Sequence, residues 1–199
     1  MIAKRLFDLF FAIPGLLLLV PLFTVVAVWI KFDSSGPVFF RQERVGRDGK
    51  LFRIFKFRTM CTGAEAKGRQ ITVGADPRIT KSGAFLRKYK LDELPQLLNV
   101  LTGEMSLVGP RPEVPRYVAL YPDDVRKRVL SVPPGITDYA SIEYKDENDI
   151  LGRAVDPDKA YIEKVMPVKL AYYLRYVAEH SLCLDFKLII QTIKAIVSS

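Results

Sequence analysis

Apolar and polar positions divide the chain into a long uncharged opening run and a remainder with shorter periods. From Leu9 to Ile30 about 22 residues pass without a charge, the length of a helix able to cross a bilayer core. Pro14, Gly15 and Pro21 interrupt the run. Pro21 falls near its middle, where it removes a backbone hydrogen bond and crowds the preceding turn. The halves on either side are roughly 18 and 15 Å long at about 1.5 Å per residue, each short of a hydrocarbon core of about 30 Å. A helix broken at Pro21 can therefore enter and leave on one face. A plain span with a proline kink stays open as the alternative.

Beyond Lys31 the pattern shortens. The turn cluster Asp33-Ser34-Ser35-Gly36-Pro37 leads into Val38-Phe39-Phe40, and a turn at Gly46-Arg47-Asp48-Gly49 separates this from Leu51–Thr59. Two β-rich runs around a Gly/Asp turn predict a hairpin. Cys61–Pro77, rich in Gly, Ala and Thr without an apolar period, reads as a mobile loop that orders on binding. Short helices are expected over Gly83–Tyr89 and Glu93–Leu101, the second with Leu94, Leu97, Leu98 and Leu101 at helical spacing and Gly103 as its stop. Val114–Leu130 predicts helices broken at Pro122, and Tyr139–Gly152 a polar surface segment. Helices follow over Asp156–Ala178 and Ser181–Val197. The last carries Leu182, Phe186, Ile189, Ile190, Ile193 and Val197 on one stripe, which packs on the core or lies on a membrane surface. The expected fold class is α+β, mostly α. Residues 1–32 form a proline-broken membrane anchor, and residues 33–199 one compact domain of short helices, a small β-hairpin and amphipathic interfacial helices.

Charge adds a partner. The formal net charge is +8 and the sequence pI about 9.5, yet 49% of residues are apolar. Such a chain wants anionic company: nucleic acid, phosphorylated small molecules or a membrane face. Aromatics do not interleave with a basic stripe, which counts against nucleic acid. Lys4 and Arg5 precede the apolar run while Lys31, Arg41, Arg44 and Arg47 follow it, so both ends belong on the positive, cytoplasmic side. Asp8 sits where it can pair with Lys4 or Arg5. Cys61 and Cys183 lack CxxC spacing, which argues against a disulfide framework or zinc site and for a reducing compartment. His180, the single histidine, falls late in a helical pattern and suits a helix end better than a triad.

Candidate chemistry concentrates in Arg87–Leu101. Asp92 and Glu93 follow Arg87, Lys88 and Lys90 and precede Pro95. Taken alone, the two acids and the proline are ordinary helix-opening signals, with Asp at an N-cap. Adjacent residues of a helix point about 100° apart, so the two acids converge on one centre only where the helix begins. Further on, Arg111 lies between Pro110 and Pro112 in a stiff loop that presents a guanidinium to phosphate oxygens, or pairs structurally with Glu104 or Glu113. Lys56 and Arg58 alternate with phenylalanines and either line a site or face water. Neither GxxxxGK[ST] nor GxGxxG occurs, so a P-loop and a Rossmann fingerprint are excluded as the source of phosphate affinity.

Four motifs in order, Lys56-Phe57-Arg58-Thr59-Met60, Leu91-Asp92-Glu93-Leu94-Pro95-Gln96, Gly109-Pro110-Arg111-Pro112 and Pro134-Gly135-Ile136-Thr137, stand behind the proline-broken N-terminus. Together they resemble the bacterial sugar transferases of the monotopic phosphoglycosyl transferase superfamily, over nearly the whole chain. The resemblance implies transfer of a sugar 1-phosphate from a UDP-sugar to a polyprenol phosphate, undecaprenyl phosphate, with release of UMP. The expected location is the cytoplasmic face of the bacterial inner membrane, at the first membrane step of glycoconjugate assembly. It further implies a ping-pong route through a covalent intermediate on Asp92, assistance by Glu93, and Mg²⁺ held by Asp92. Arg111 is expected at the donor phosphate, Lys56 and Arg58 at donor or acceptor phosphate, and Arg87 at a lipid headgroup or the lipid phosphate. Two departures from the family pattern stand out: Val20 rather than Ser before Pro21, and Asp138-Tyr139-Ala140-Ser141 after Pro134-Gly135-Ile136-Thr137, where nucleotide or sugar choice is expected to be set. The competing reading is a non-catalytic basic membrane protein that binds anionic lipid through its surface charge.

Overall fold

A computed structural model describes residues 2–64, 76–144 and 147–197, less the side chains of 148, 149, 196 and 197. Helix α1 (Ile2–Asp33) runs 32 residues with Pro14 and Pro21 inside it, about 48 Å if straight at 1.5 Å per residue. Neither proline ends the helix. The hydroxyl expected before Pro21 comes instead from Thr24, which donates to the Val20 carbonyl at 3.0 Å, the back-bonding that lets a helix bend.

Strands β1 (Phe39–Val45) and β2 (Leu51–Phe57) form the expected antiparallel hairpin, with Phe39 opposite Phe57 and Val45 opposite Leu51. Asp48 and Gly49 take the positive φ of its turn. Next come α2 (Lys81–Lys88), a 3-10 segment (Leu91–Gln96) and α3 (Leu97–Thr102). Strand β3 (Ser106–Val108) and helices α4 (Pro115–Val118) and α5 (Asp123–Val129) lead to β4 (Gly135–Thr137), which pairs in parallel with β3. Pro122 interrupts the helical stretch as expected, standing as the N-cap of α5.

The chain ends with α6 (Tyr139–Glu143), α7 (Glu147–Arg153), α8 (Pro157–Ala160), a π-turn (Tyr161–Val165), α9 (Met166–Glu179) and α10 (Leu182–Val197). The π-turn stands just before Pro167, whose nitrogen cannot donate to the preceding turn. The Tyr139–Gly152 segment is not simply surface: Tyr139, Ala140 and Leu151 are buried. The main core gathers Val114, Tyr117, Tyr121, Val165, Leu170 and Tyr173 between α4, α5 and α9. Most of the expected Cys61–Pro77 loop falls on residues 65–75, outside the described residues.

Helix α1 docks on this body along its whole length. Near its start Arg5 donates to the carbonyls of Val100 and Leu101, closing the C-terminal end of α3. Lys4 pairs with buried Asp185 at 2.6 Å. Asp8, expected to pair with Lys4 or Arg5, instead accepts from Ser106 Oγ at 2.9 Å and Leu107 N at 3.1 Å. In the middle, Ala12 packs with Phe52, Ile54, Val100 and Met105, and further on Val26 and Ile30 pack with Phe57 and Leu86. At its far end Asp33 accepts from the backbone and hydroxyl of Ser82, both at 2.8 Å.

The other side of α1 is apolar and exposed, with Leu6, Phe10, Leu17, Leu18, Val25 and Phe32 all more than half accessible. Helix α10 extends that face. Of the two uses open to its stripe, the outward one is realised: Leu182, Phe186, Ile190 and Ile193 are exposed, while Leu188 and Asp185 turn inward. Phe11 meets Phe186 at 6.4 Å and Trp29 meets Phe85 at 5.2 Å, so α10, α1 and α2 share one apolar surface. A surface of that extent marks an interaction site, and lipid is its natural cover.

Candidate active site

The acids open the 3-10 segment. Lys90 precedes it with φ 54° and ψ 24°, the left-handed region, which turns the chain sharply out of α2. Asp92 and Glu93 therefore sit in the first turn, with Lys90 rather than Asp92 as the N-cap. A 3-10 turn holds about three residues, which separates neighbouring side chains by about 120°. Both acids still line one cleft of about 2360 Å³.

Asn99, fully buried, sets the distance across the cleft. Its side chain accepts from Phe55 N at 2.8 Å and donates to Arg53 O at 2.9 Å, standing in for a third strand on the edge of β2. This brings Lys56 opposite Glu93, and Lys56 Nζ donates to Glu93 Oε1 at 2.8 Å. Arg111 arrives on the Gly109–Pro112 loop and donates through both Nη atoms to Glu93, with Nη1 to Oε2 at 3.0 Å. Its partner is therefore Glu93, neither Glu104 nor Glu113.

That loop is braced from two sides. Gly109 N donates to Thr137 O and Gly135 N to Pro110 O, each at 3.0 Å. A Cβ on Gly135 would stand 2.1 Å from Gly109 N, so the two motif loops touch only because both lack side chains there. On the other side Arg44 donates to Pro112 O at 3.2 Å. Buried Glu113 accepts from Tyr161 and from Lys169 Nζ, the latter at 3.4 Å.

Electrostatics separate the two acids. Burial pushes the Glu93 carboxyl up, but the Arg111 guanidinium and Lys56 ammonium outweigh it and hold Glu93 well below the usual carboxylate range. Burial and the neighbouring Glu93 carboxylate raise Asp92 above its ordinary value, against the opposing pull of Lys56, Arg87 and Arg111. Burial draws Lys56 down more than Glu93 lifts it. No hydrogen bond from the described residues reaches the Asp92 carboxylate. Its carboxylate is thus desolvated, faced by cations and not tied down.

Arg87 donates from Nε to Thr59 Oγ1 at 2.9 Å and lines the same cleft beside Asp92. Arg58 differs from expectation. Its guanidinium turns to the end of α1, donating to Ser34 O at 2.7 Å, to Ser34 Oγ at 3.0 Å and to the Ser35 carbonyl. Helix carbonyls at a C-terminal end lack intrahelical donors, and Arg58 supplies them. The cleft thus gathers Asp92, Glu93, Lys56, Arg87 and Arg111, with Arg58 at its wall serving the fold. Asn99 and Lys169 were not foreseen, and Glu113, expected as a possible partner of Arg111, pairs with Tyr161, Lys169 and Arg44 instead. Asn99 gave a signal, a polar residue inside Leu97-Leu98-Asn99-Val100-Leu101. His180 forms the C-cap of α9, with Nδ1 2.9 Å from Val177 O.

Mg²⁺ fits this donor set in one way. Among the described residues no group of three or more His, Cys, Asp and Glu converges, and both Glu93 oxygens are held by cations. Asp92, beside that clamped acid, takes no hydrogen bond from the described residues and leaves its carboxylate oxygens for the ion. Mg²⁺ typically takes one or two carboxylates and completes its shell with water and substrate phosphates, so that single group suffices.

Two acids faced by three cations thus share a cleft mounted beside an apolar helix face. The model of the bacterial sugar transferase family matches residues 1–199, and the chain belongs to that family. It is 38% identical, over 98% of its length, to a UDP-N-acetylgalactosamine-undecaprenyl-phosphate N-acetylgalactosaminephosphotransferase of Aeromonas hydrophila, of which it spans 44%. It is likewise 38% identical, over 96% of its length, to the UDP-glucose:undecaprenyl-phosphate glucose-1-phosphate transferase of Escherichia coli (strain K12), of which it spans 39%. The chain thus covers less than half of either relative. The exopolysaccharide production protein PSS of Rhizobium leguminosarum bv. phaseoli is closer in size, 38% identical over 97% of this chain and 94% of its own.

Proposed function

We propose that the protein transfers a sugar 1-phosphate from a UDP-sugar to undecaprenyl phosphate at the cytoplasmic face of the inner membrane, releasing UMP. The observation that carries this is the unpaired Asp92 carboxylate beside a Glu93 clamped by Lys56 and Arg111. The relatives from Aeromonas hydrophila and Escherichia coli are named as transferases acting on undecaprenyl phosphate, which supports the acceptor.

The chemistry follows from the charges. An Asp92 oxygen attacks the sugar-bearing phosphorus of the donor, the bond from that phosphorus to the bridging oxygen breaks, and UMP departs with the oxygen. An aspartyl phosphosugar remains. The acceptor phosphate then attacks the same phosphorus, forms the new pyrophosphate link and restores the Asp92 carboxylate. Arg111 and Lys56 are poised to exchange Glu93 for donor phosphate oxygens, since a guanidinium fork and an ammonium recognise both. Arg87 adds positive charge beside Asp92 and so supports phosphate oxygens brought to that carboxylate. Asp92 would hold Mg²⁺ together with donor phosphate oxygens, and the bound ion supplies charge neutralisation there.

Topology supports the membrane reading. Arg5 and Asp8 at one end of α1 and Asp33 at the other hold the same body. A straight span would carry one of those ends about 30 Å away. Those contacts support a helix that enters and leaves the membrane on one face, with its apolar side toward lipid.

The test is incubation of the full chain with Mg²⁺, undecaprenyl phosphate and a panel of UDP-sugars, assayed for UMP. Wild type releases UMP with one or more donors and retains label from a donor carrying ³²P on the sugar-linked phosphate. Asp92→Asn does neither. UMP release by Asp92→Asn at the wild-type rate would remove the nucleophile assignment, and no release with any donor would remove the function.

A further inference from the structure

One branch of the cleft is unlike the rest. Besides the charged groups around Asp92, the lining of the cleft holds an apolar set drawn from α1, α3, β3, β4 and α10, namely Phe11, Leu97, Leu107, Ile136, Ile189 and Ile193, with Asp138 and Ser141 among the polar residues beside them. Leu97, Leu107 and Ile136 form a half-buried floor packed on Ala12 and Met105. Phe11 and Ile193, 38% and 53% exposed, stand at the outer end, where the branch meets the apolar face shared by α1 and α10. Two hydroxyls border it, and each is satisfied within the protein. Thr192 donates to Leu188 O at 2.8 Å, and the Thr137 and Thr192 hydroxyls lie 2.6 Å apart.

We propose that this branch is the track for the polyprenyl chain of the acceptor, leading from the phosphate centre at Lys56 and Arg111 down to the lipid-facing surface. The assignment rests on the transfer reaction proposed above. A polyprenyl phosphate is an anion joined to a long hydrocarbon, and here one cleft is lined both by the cations and by an apolar set whose members Phe11 and Ile193 are exposed on the apolar surface of α1 and α10. Charge and apolarity meet the two halves of one molecule. The opposite end of the cleft, at Asp76, Arg78, Arg87 and Lys88, is charged, and the exposed aromatics Phe85 and Tyr89 of α2 do not line it. That end suits phosphate and polar groups rather than an isoprenoid. Ile189 and Ile193 are four residues apart on α10 and so share the helix face turned to the groove. Ile193 stands at the edge of the two faces, since it lines the cleft with Ile189 and is exposed on the outer face with Ile190, which does not line the cleft.

The track is tested on the full chain in nanodiscs with Ile193→Gln, using Ile190→Gln as the control for weakened membrane docking. Two rates are read: UMP formed without acceptor, which reports the donor step, and transfer to undecaprenyl phosphate against a two-isoprene acceptor phosphate. Ile193→Gln is expected to leave the donor step at the wild-type rate and to raise KM for the long acceptor about tenfold, equivalent to about 1.4 kcal/mol. The penalty shrinks for the short acceptor and is absent in Ile190→Gln. Equal effects of the two substitutions, or an unchanged KM in Ile193→Gln, would overturn the track. A second measurement does not depend on kinetics: a polyprenyl phosphate carrying a diazirine near its head should label the α10 peptide or the Phe11 peptide, and labelling confined to α2 would overturn the assignment. A wild type that forms no UMP removes the reaction and the track together, whereas an active wild type indifferent to Ile193 removes the track alone.

Discussion

Asp92→Asn and Glu93→Gln, one residue apart, are expected to move stability in opposite directions. Glu93 holds two cations through hydrogen bonds to both of its oxygens, and the three side chains are only 22%, 19% and 31% exposed. Removing one partner of a buried ion pair costs about 3–5 kcal/mol because the remaining charge is left without a counterion. Partial exposure brings the expectation for Glu93→Gln to the lower end, about 3 kcal/mol, or roughly 6–12 °C in Tm for a chain of this size. Asp92 has no such partner. Its charge is desolvated and repelled by Glu93, so Asp92→Asn should gain about 1 kcal/mol, the usual return for relieving a strained active-site group.

The pH dependence carries the same opposition. Glu93 binds its proton more weakly when folded than at the ordinary value of 4.5, so its contribution is complete above that pH and lost as pH falls through its depressed value. Asp92 binds its proton more tightly when folded, so stability declines as pH rises from 3.8 through its raised value, and Asp92→Asn removes that slope. Thermal unfolding of wild type and both variants in one detergent, followed by intrinsic fluorescence from pH 8 down to about pH 2, covers both windows. Equal losses in the two variants, or a neutral Glu93→Gln, would refute the account of the site.

Arg58→Ala should lower stability by about 2 kcal/mol, because it leaves carbonyls at the end of α1 without donors, while the donor KM of the folded fraction changes less than twofold. A large KM change with normal stability would return Arg58 to the phosphate site. Arg111→Lys is not conservative, since one ammonium cannot reproduce the two-point grip on Glu93 or on phosphate. Donor KM should rise about tenfold or more in a UMP assay, and a near-wild-type value would contradict the bidentate reading. At Lys90, with φ 54°, Lys90→Gly should stay within about 0.5 kcal/mol of wild type in chemical denaturation, whereas Lys90→Val should lose about 1–2 kcal/mol. Equal behaviour of the two would show that the turn relaxes.

Local signals carried much of this structure. The Gly46–Gly49 turn, the interruption at Pro122 and the stop at Gly103 act through backbone geometry of the residues themselves, and each stands where the pattern put it. Asp92, Glu93, Lys56, Arg87 and Arg111 were legible as chemistry because acids and guanidinium groups recur in motifs. What escaped was pairing across the chain. Arg58 reads as a surface or site cation until the end of α1 arrives beside it, and Arg111 had several acids within reach in sequence, of which the distant Glu93 won. Asp8 looked like the partner of its neighbours Lys4 and Arg5, yet Ser106 and Leu107 take it. The stripe on α10 carried the right period and left its direction open, since periodicity fixes which residues share a face and not what covers that face.

The contacts of α1 join the two halves of the protein into one device. Arg5 closes α3, which continues the segment bearing Asp92 and Glu93, and Asp8 holds the start of β3, which leads to Arg111. Lys4 reaches Asp185, whose other oxygen lies 2.8 Å from the Tyr176 hydroxyl, itself 3.0 Å from Val108 O at the end of β3. The first two turns of the apolar helix therefore brace both chain segments that meet at the Glu93–Arg111 pair. A lipid phosphate is available only at the depth of the headgroups, and a catalytic carboxylate gains from being held there by proximity. An anchor tied to the body by a flexible linker would hold the site near the membrane without fixing its depth. In the proposed membrane-bound enzyme, contacts at both ends of α1 and along its length would fix depth and orientation together, as a helix packed into the domain rather than appended to it can do.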